Sequence, residues 1–235
     1  MSIAIPRVVL LAHTEDPERL IAAAARLCYS QSSVEDIREQ LTPEKIESFL
    51  DTLLDMGHES PIEHISFTFG IEGVSRSLTH QLVRHRLASY SQQSQRYVQA
   101  KQFAYIMPPL IAANPEACAV FEAQMRAAQE SYDQLLAMGF PREDARYVLP
   151  NACETRLVMT MNARSLLNFF TARCCMRAQW EIRALAEAML ALVQPIAPHI
   201  FAHAGPNCTR YGVCREGAMS CGRIAAIDSR SNPVR

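Results

Sequence analysis

Three helix starts in this 235-residue chain are marked in the same way, by Asp, Thr or Asn directly followed by proline. They are Asp16-Pro17, Thr42-Pro43 and Asn114-Pro115. A short polar side chain at the N-cap accepts a free backbone N–H, and proline suits the first helical position because no N–H is needed there. The pattern predicts a helix after each start, and the third helix is expected to run to about Gly139.

Other segments complete a helix-rich prediction. Helices are expected from Asn162 through Phe170, from about Ala178 to Val193, and briefly between Pro141 and Pro150. Apolar residues alternate with polar ones in 65–69 and 157–161, which is the period of a half-buried strand, and 8–12 is a further strand candidate. We predict a single α+β domain in which a small sheet is packed with helices.

Composition excludes several classes of protein. Hydrophobic residues make up 49% and charged residues 20%, which favours a packed core over disorder. The formal net charge is −1, so a protein that coats nucleic acid is not expected. No apolar run is long enough to span a membrane. The start, MSIAIPRVVLL, lacks the basic region of a signal peptide, and the eight cysteines are expected to be reduced thiols in the cytoplasm.

Two long stretches contain arginine but no Asp or Glu. They are 73–115 and 155–180. Because the whole chain is nearly neutral, we predict that positive charge is gathered into a pocket for an anion such as a phosphate. Arginine suits this task since its guanidinium can grip phosphate with two parallel hydrogen bonds. Accidental clustering of solvated arginines is the alternative.

Histidine and cysteine patterns do not predict a metal site. HESPIEH, starting at His58, lacks the HExxH spacing of zinc helices, and Pro61 would break such a helix. Near the C-terminus, His203, Cys208, Cys214 and Cys221 are spaced more loosely than usual zinc ligands. We expect no stoichiometric metal in either place.

Several blocks of sequence resemble one enzyme family. RHRLASYSQQS, from Arg84 to Ser94, has the pattern RHR, seven residues, Ser, which is the signature of the flavin-dependent thymidylate synthases. GHESPIEHISFTF precedes it, and PREDARYVLP, MNARSLLNFF and RAQWEIR follow in the same order as in that family. The resemblance covers about Arg19 to Val193. We therefore expect 1–205 to form the family's domain and 206–235 to be an irregular Cys-, Gly- and Arg-containing tail, dispensable for flavin binding and methylation.

The resemblance implies a homotetramer that binds FAD between subunits and shares its active sites. It implies that dUMP is methylated to dTMP, that methylenetetrahydrofolate supplies the carbon and that NADPH reduces the flavin. The expected partners are therefore dUMP and folate, with neither nucleic acid nor membrane.

The resemblance also implies a role for individual positions. The dUMP site would include Gln81, Arg84, Gln92, Ser94, Gln95, Arg96, Arg146 and Arg173. FAD would contact Ser60, Arg84, His85, Arg86, Gln92, Asn162, Arg164 and Asn168, while His58 would lie near the flavin and the folate. Gln92 departs from the Glu of some members and lacks its charge.

Arg173 is the catalytic residue that the resemblance implies. A fixed guanidinium beside the uracil would stabilise the anion left when N3 loses its proton. No cysteine nucleophile is identified, and Ser94 is interpreted as a positioning hydroxyl because no histidine base is paired with it in sequence. An RNA-binding module and a helical scaffold with surface arginines are the alternative interpretations.

Overall fold

The computed structural model describes residues 1–224. The strands are β1 Arg7–His13, β2 Ser66–Ser75, β3 Ala88–Gln92 and β4 Glu154–Asn162. The helices are α1 Pro17–Leu27, α2 Val34–Gln40, α3 Pro43–Asp55, α4 Arg76–Leu82, α5 Pro109–Ala112, α6 Pro115–Ala137, α7 Arg142–Ala145, α8 Ala163–Arg173, α9 Trp180–Val193, α10 Pro198–Phe201 and α11 Asn207–Arg210. Single 3₁₀ turns cover Pro61–His64, Arg146–Val148 and Gly217–Met219.

The strands form one antiparallel sheet in the order β1-β2-β4-β3. The predicted α+β class is confirmed, as are the three predicted strands. The strand β3 was not predicted, because its residues ASYSQ are mostly polar and only half-buried on alternate positions. A strand with so few apolar residues has little of the hydrophobic periodicity from which strands are recognised.

The helix starts follow the predicted capping chemistry with one exception. Thr42 and Asn114 accept backbone N–H groups at the starts of α3 and α6, and Asn162 does so at the start of α8. Asp16 is different, because its φ is 41° and its side chain makes no capping hydrogen bond. Its carboxylate instead pairs with Arg19 at 2.7 Å, so the helix start was predicted correctly and its cap was not.

The chain divides into two compact units, and each strand contributes residues to both. The first unit contains 1–8, 70–84 and 90–159. Its core includes a cluster around Phe103, Tyr105 and Met125. The N-terminal residues belong to this unit, since Ala4 N–H donates to the Tyr105 carbonyl at 2.9 Å.

One glycine of the first unit is required by its surroundings. Gly73 has a φ of +68°, and a Cβ at that position would lie 2.1 Å from the Ile5 carbonyl oxygen. No side chain fits so close to a backbone atom, and the positive φ is itself unfavourable for any residue with a Cβ. Gly73 therefore lets the N-terminal segment pass directly over β2.

The second unit contains 9–69, 85–89 and the chain from 160 onward. Edge-to-face aromatic contacts run through its core, from Phe67 to Phe201, Phe170 and Phe169, with ring centroids 5.6–6.0 Å apart. The described part of the predicted tail contains α11, where Cys208 is buried. Residues 225–235 lie outside the described part. Among residues 1–224, no helix is long and apolar enough to cross a membrane.

Candidate active site

Arg173 and His85 are in direct contact in the second unit. Arg173 is the last residue of α8, and its Nε donates a hydrogen bond to His85 Nε2 at 3.0 Å. His85 lies in the turn between α4 and β3, and Phe169 packs against its ring with centroids 4.9 Å apart. Burial lowers the pKa of His85 to about 4, and the neighbouring Arg173 charge adds to this effect. The imidazole is therefore neutral near pH 7 and can accept this hydrogen bond.

The two terminal nitrogens of the Arg173 guanidinium are available to a ligand. Only its Nε is used by His85, and no carboxylate within residues 1–224 forms an ion pair with it. A planar guanidinium that is half-buried and fixed at one nitrogen presents its remaining N–H groups in a defined direction. Arg173 can thus stabilise a negative charge at a fixed position.

The start of α8 places three further predicted residues. Asn162 Oδ1 accepts the Ser165 N–H at 2.8 Å, so its side chain acts as the helix cap. Arg164 is held by two carboxylates, through Nε to Glu59 at 3.4 Å and through Nη1 to Glu63. Asn168 follows one turn after Arg164 and therefore lies on the same helix face.

A cavity of about 310 Å³ lies in the second unit beside these residues. Its lining includes Asn168, Arg173, Cys175, Arg177, Cys208 and Arg215. Asn168 and Arg173 therefore line the same cavity. The other predicted residues of this unit, His58, Ser60 and Arg86, are exposed in loops or turns.

The first unit holds most of the predicted dUMP residues. They are Gln81, Arg84, Gln92, Ser94, Gln95, Arg96 and Arg146. Gln92 lies on β3, where its Nε2 donates to Thr79 Oγ1 and Thr155 Oγ1, both at 3.2 Å. Both amide hydrogens are therefore occupied, and the carbonyl oxygen is the group that Gln92 can offer to a ligand.

A second cavity of about 310 Å³ lies in the first unit and includes Ser94 and Gln95 in its lining. Next to this segment, Arg76 donates from Nη2 to the Gln93 carbonyl at 2.9 Å. Its Nε is buried without a hydrogen-bond partner among residues 1–224. Burial lowers the pKa of Arg76, and the positive charge of Arg146 lowers it further. Two nearby cations and a free buried N–H together favour a bound anion.

Arg76 lies in the acid-free stretch 73–115 but is not among the residues predicted for the site. The signal that could have identified it is its position directly after the buried end of β2, at the first residue of α4. Arg76 as a whole is only half-buried, but its Nε is shut off from water and makes no hydrogen bond within residues 1–224. A buried N–H without a partner is costly, which makes this atom a candidate contact for a ligand.

The acid-free stretches do not leave all their arginines free, which corrects part of the anion-pocket prediction. Carboxylates from outside the stretches pair with four of them, in Arg96–Glu143, Arg156–Glu154, Arg164–Glu63 and Arg177–Glu216, of which only Arg156–Glu154 joins near neighbours in sequence. Arg84, Arg86, Arg146 and Arg173 have no carboxylate partner within residues 1–224. The available positive charge is therefore confined to a subset of the predicted residues.

Three of the predicted arginines are each followed by a large, exposed apolar or aromatic side chain. Leu87 is 79% exposed after Arg86, Tyr97 is 72% exposed after Arg96, and Tyr147 is 82% exposed after Arg146. Single exposed apolar residues are ordinary, but here they recur directly after arginines that were predicted to bind a ligand. The pattern fits a site that another molecule covers.

Within residues 1–224, the structure shows neither a cluster of metal-binding side chains nor a disulfide. In the described range 1–224, no three His, Cys, Asp or Glu side chains come together to hold a metal ion. All eight cysteines are free thiols. Burial raises the pKa of Cys174, the neighbour of Arg173, to about 12, so this group is a thiol and not a thiolate near pH 7.

Comparisons with known proteins identify the family. A family model described as "Thymidylate synthase complementing protein" matches residues 9–199. A flavin-dependent thymidylate synthase of Clostridium tetani is 53% identical over 237 residues, covering 94% of this chain and 95% of that one. A protein of the same name from Geobacter sulfurreducens is 52% identical and covers 94% of this chain and 96% of its own.

A solved structure shares the fold. The crystal structure of a UMP/dUMP methylase from Streptomyces cacaoi bound with 5-Br dUMP has a TM-score of 0.77 and 24% identity, and the match covers 86% of this chain and 96% of that one. At this identity the likeness shows the fold alone. The family match and the two close relatives extend over nearly the whole chain, and the chain therefore belongs to the flavin-dependent thymidylate synthase family and is an enzyme.

Proposed function

We propose that the protein methylates dUMP to dTMP, with methylenetetrahydrofolate as carbon donor and an FAD that NADPH reduces. The observation that carries the proposal is the half-buried Arg173, fixed by the neutral His85 and without a carboxylate partner in residues 1–224. The names of the close relatives and the dUMP methylase with the same fold support this reaction. Thymidylate chemistry needs a group that makes uracil C5 nucleophilic, and Arg173 is suited to do so.

Arg173 acts through the uracil N3 position in this proposal. When N3 releases its proton to water, the negative charge is shared by N3 and the two uracil oxygens, and the more electron-rich ring has a more nucleophilic C5. The guanidinium stabilises that charge by hydrogen bonds that strengthen as it develops. His85 holds Arg173 at Nε and thereby sets the direction of the other N–H groups. The protonated state of Cys174 is consistent with activation that uses no cysteine.

The phosphate of dUMP fits the first unit. Arg76 offers a buried N–H next to Gln93, and Arg146 adds a second positive charge nearby. Ser94, the residue after Gln93, offers a hydroxyl. A phosphate dianion would relieve the repulsion between the two guanidinium groups. The free carbonyl oxygen of Gln92 accepts hydrogen bonds, so it would face a hydroxyl or N–H donor of the nucleotide and not its phosphate. Arg96 would contribute its guanidinium to the substrate on exchanging its Glu143 partner.

The residues present also fit FAD. The side chains of Arg84 and Arg86 are exposed and have no partner in residues 1–224, which suits a diphosphate. The guanidinium of Arg164 uses Nε and Nη1 for carboxylates and keeps Nη2 for a ligand. The amide of Asn168 lines the cavity of the second unit. The flavin, once bound, would supply the reducing chemistry.

Exposed residues beside the site support a homotetramer with shared active sites. Leu87, Tyr97 and Tyr147 would be removed from water if a second copy of the chain covered them. A site completed by another copy would also explain why several predicted residues lie on loops and turns without a partner. Subunit association is thus expected to be needed for activity.

A reconstitution assay tests the proposed function. The full chain is purified, loaded with FAD, and supplied with dUMP, methylenetetrahydrofolate and NADPH, and dTMP is measured by chromatography. We expect a yellow protein that forms dTMP only when all three substrates are present. An enzyme that binds FAD and oxidises NADPH yet never forms dTMP would refute the methylation, and a protein that cannot bind FAD would refute the flavin assignment.

A further inference from the structure

Arg210, in the C-terminal segment, makes a short ion pair with a residue next to the predicted flavin site. Its Nη2 lies 2.6 Å from Glu59 Oε1, and its side chain is only 16% exposed. The guanidinium also lies over the Tyr211 ring, 4.9 Å from the centroid. A charge-assisted hydrogen bond that is this short and largely shielded from water is among the stronger polar contacts in proteins.

Glu59 connects Arg210 to the start of α8. Its other carboxylate oxygen, Oε2, lies 3.4 Å from Arg164 Nε. One carboxylate therefore bridges two guanidinium groups from segments that are far apart in sequence. Glu63 accepts a hydrogen bond from Arg164 Nη1, so two of the three guanidinium nitrogens face a carboxylate although the side chain is 49% exposed. This arrangement orients Nη2, the nitrogen that has no partner in residues 1–224.

The segment that carries Arg210 is itself held in the second unit. Its short helix α11 packs against α8, and Cys208 is 8% exposed. The Arg210 N–H donates to the Pro206 carbonyl at 2.9 Å. Arg210 is thus a fixed anchor for the loop between α3 and the 3₁₀ turn Pro61–His64, in which Glu59 lies.

We propose that Arg210 is a positioning residue of the flavin site, which acts by holding Glu59 and through it Arg164. The proposal rests on the proposed function, since it takes Arg164 to contact FAD. Glu59 without Arg210 would lose its strongest partner and would be free to rotate into water. Arg164 would then keep only Glu63, and its Nη2 would no longer point in one direction. The C-terminal segment is therefore part of the flavin site, and its removal after Gly205 should weaken FAD binding.

The first measurement uses the chain without flavin. Hydrogen exchange of residues 57–64 is followed in the wild type, in Arg210→Gln and in Arg126→Ala. Arg210→Gln keeps part of the stem that packs against its neighbours but removes the charge. Arg126→Ala removes a surface ion pair with Glu122 on α6 and serves as the control. We expect faster exchange of 57–64 in Arg210→Gln only, and unchanged exchange would overturn the anchoring role.

The second measurement is FAD affinity by fluorescence titration. Loss of a whole charge-assisted hydrogen bond to FAD would weaken binding about ten- to a hundredfold. Because Arg210 acts only through other residues, we expect Arg210→Gln to weaken FAD binding less, by about three- to tenfold. Arg210→Lys should recover some of this loss because it keeps the charge. Arg126→Ala should bind like the wild type.

A double-mutant cycle separates positioning from general stability. If Arg210 acts through Glu59, then Arg210→Gln should have little further effect on FAD affinity in a Glu59→Gln background. An equal loss in both backgrounds would overturn the proposal. If the wild-type chain itself fails to bind FAD, the proposed function fails, whereas the exchange of 57–64 still tests the anchor.

Discussion

Arg173 Nε donates to His85 Nε2 across 3.0 Å, so the arginine expected to activate the uracil is held by a histidine of the RHR motif. Because a nitrogen that accepts this hydrogen bond cannot also carry a proton, the pair requires neutral His85. Protonation of the histidine would place two positive charges in contact. The geometry thus links the charge state of His85 to the orientation of Arg173.

Stability should fall between pH 6.5 and about 4 because of His85. The pKa of this histidine is about 4 in the folded chain and near 6.5 when unfolded. In that window the unfolded state binds more protons, so acidification favours unfolding. The full change in pKa corresponds to about 3 kcal/mol of unfolding free energy. Because His85 is partly exposed to solvent, we expect a loss of about 1–2 kcal/mol. Urea unfolding of the wild type across this pH range measures it.

His85→Gln is the variant that isolates this effect, since its amide oxygen can accept from Arg173 and does not titrate. We expect a flatter dependence of unfolding free energy on pH than in the wild type. His64→Gln, at an exposed position, should leave the dependence unchanged. An equal slope in all three proteins would show that His85 is not the responsible group.

Arg173→Lys should lose dTMP formation while keeping the reduction of the flavin by NADPH. Lysine retains the charge but not the planar fork or the Nε donor to His85. Removal of one such transition-state contact typically costs about 10²–10³ in turnover. Single-turnover formation of dTMP and stopped-flow bleaching of the flavin measure the two steps separately. Near wild-type dTMP formation by Arg173→Ala would exclude Arg173 as the activating residue.

Arg84→Ala and Arg86→Ala should each weaken FAD binding. A charge-assisted contact to phosphate is worth roughly 1.5–3 kcal/mol, which corresponds to about ten- to a hundredfold in affinity. Fluorescence titration with FAD measures the change, and Arg126→Ala on α6 is the matched control. Wild-type affinity in both arginine variants would place the diphosphate elsewhere.

Gly73→Ala should destabilise the chain far more than Gly139→Ala. Both glycines belong to the first unit and have positive φ, at +68° and +91°, so both substitutions carry a backbone cost of about 1 kcal/mol. Only at Gly73 would the new Cβ overlap a backbone atom, the Ile5 oxygen at 2.1 Å, which adds roughly 1–3 kcal/mol. Urea denaturation of both variants gives the difference, and equal losses would contradict the close approach.

Leu87→Asp should disrupt subunit association if a second copy covers the site. Leu87 is 79% exposed beside Arg86, so a charged replacement is harmless in a single chain and costly only in an interface. Sedimentation velocity should show smaller species and activity should fall. Leu110→Asp is the control, at an 88% exposed leucine on α5 away from the predicted site residues in sequence. Equal sedimentation of both variants and the wild type would exclude Leu87 from an interface.

Local chemistry made the helices predictable. Thr42, Asn114 and Asn162 cap their helices as expected, because a capping side chain acts within three residues of its own position. Asp16 does not cap its helix, because its carboxylate forms an ion pair with Arg19 instead. The strand β3 was not predicted, because it has too few apolar residues to show the alternation typical of a strand.

The charge pattern of the sequence could not show which arginines of the candidate site are paired with carboxylates. The pairing of Arg96 with Glu143 joins residues 47 positions apart, so an acid-free stretch of sequence could not reveal it. The same holds for Arg210 and Glu59, which are 151 positions apart. Arg76 was not predicted as a site residue because its only distinguishing feature is a buried Nε without a hydrogen-bond partner in residues 1–224. Burial of a single atom cannot be read from the residue type.

The ion pair between Arg210 and Glu59 has an evolutionary consequence. Loss of the arginine alone would leave a half-buried carboxylate beside Arg164, and loss of the carboxylate alone would leave a guanidinium that is 16% exposed without its partner. Loss of the carboxylate alone is worse than losing both residues, since a largely buried charge without its partner costs more than none. Among relatives, we therefore expect an arginine at this position only where the glutamate is also present.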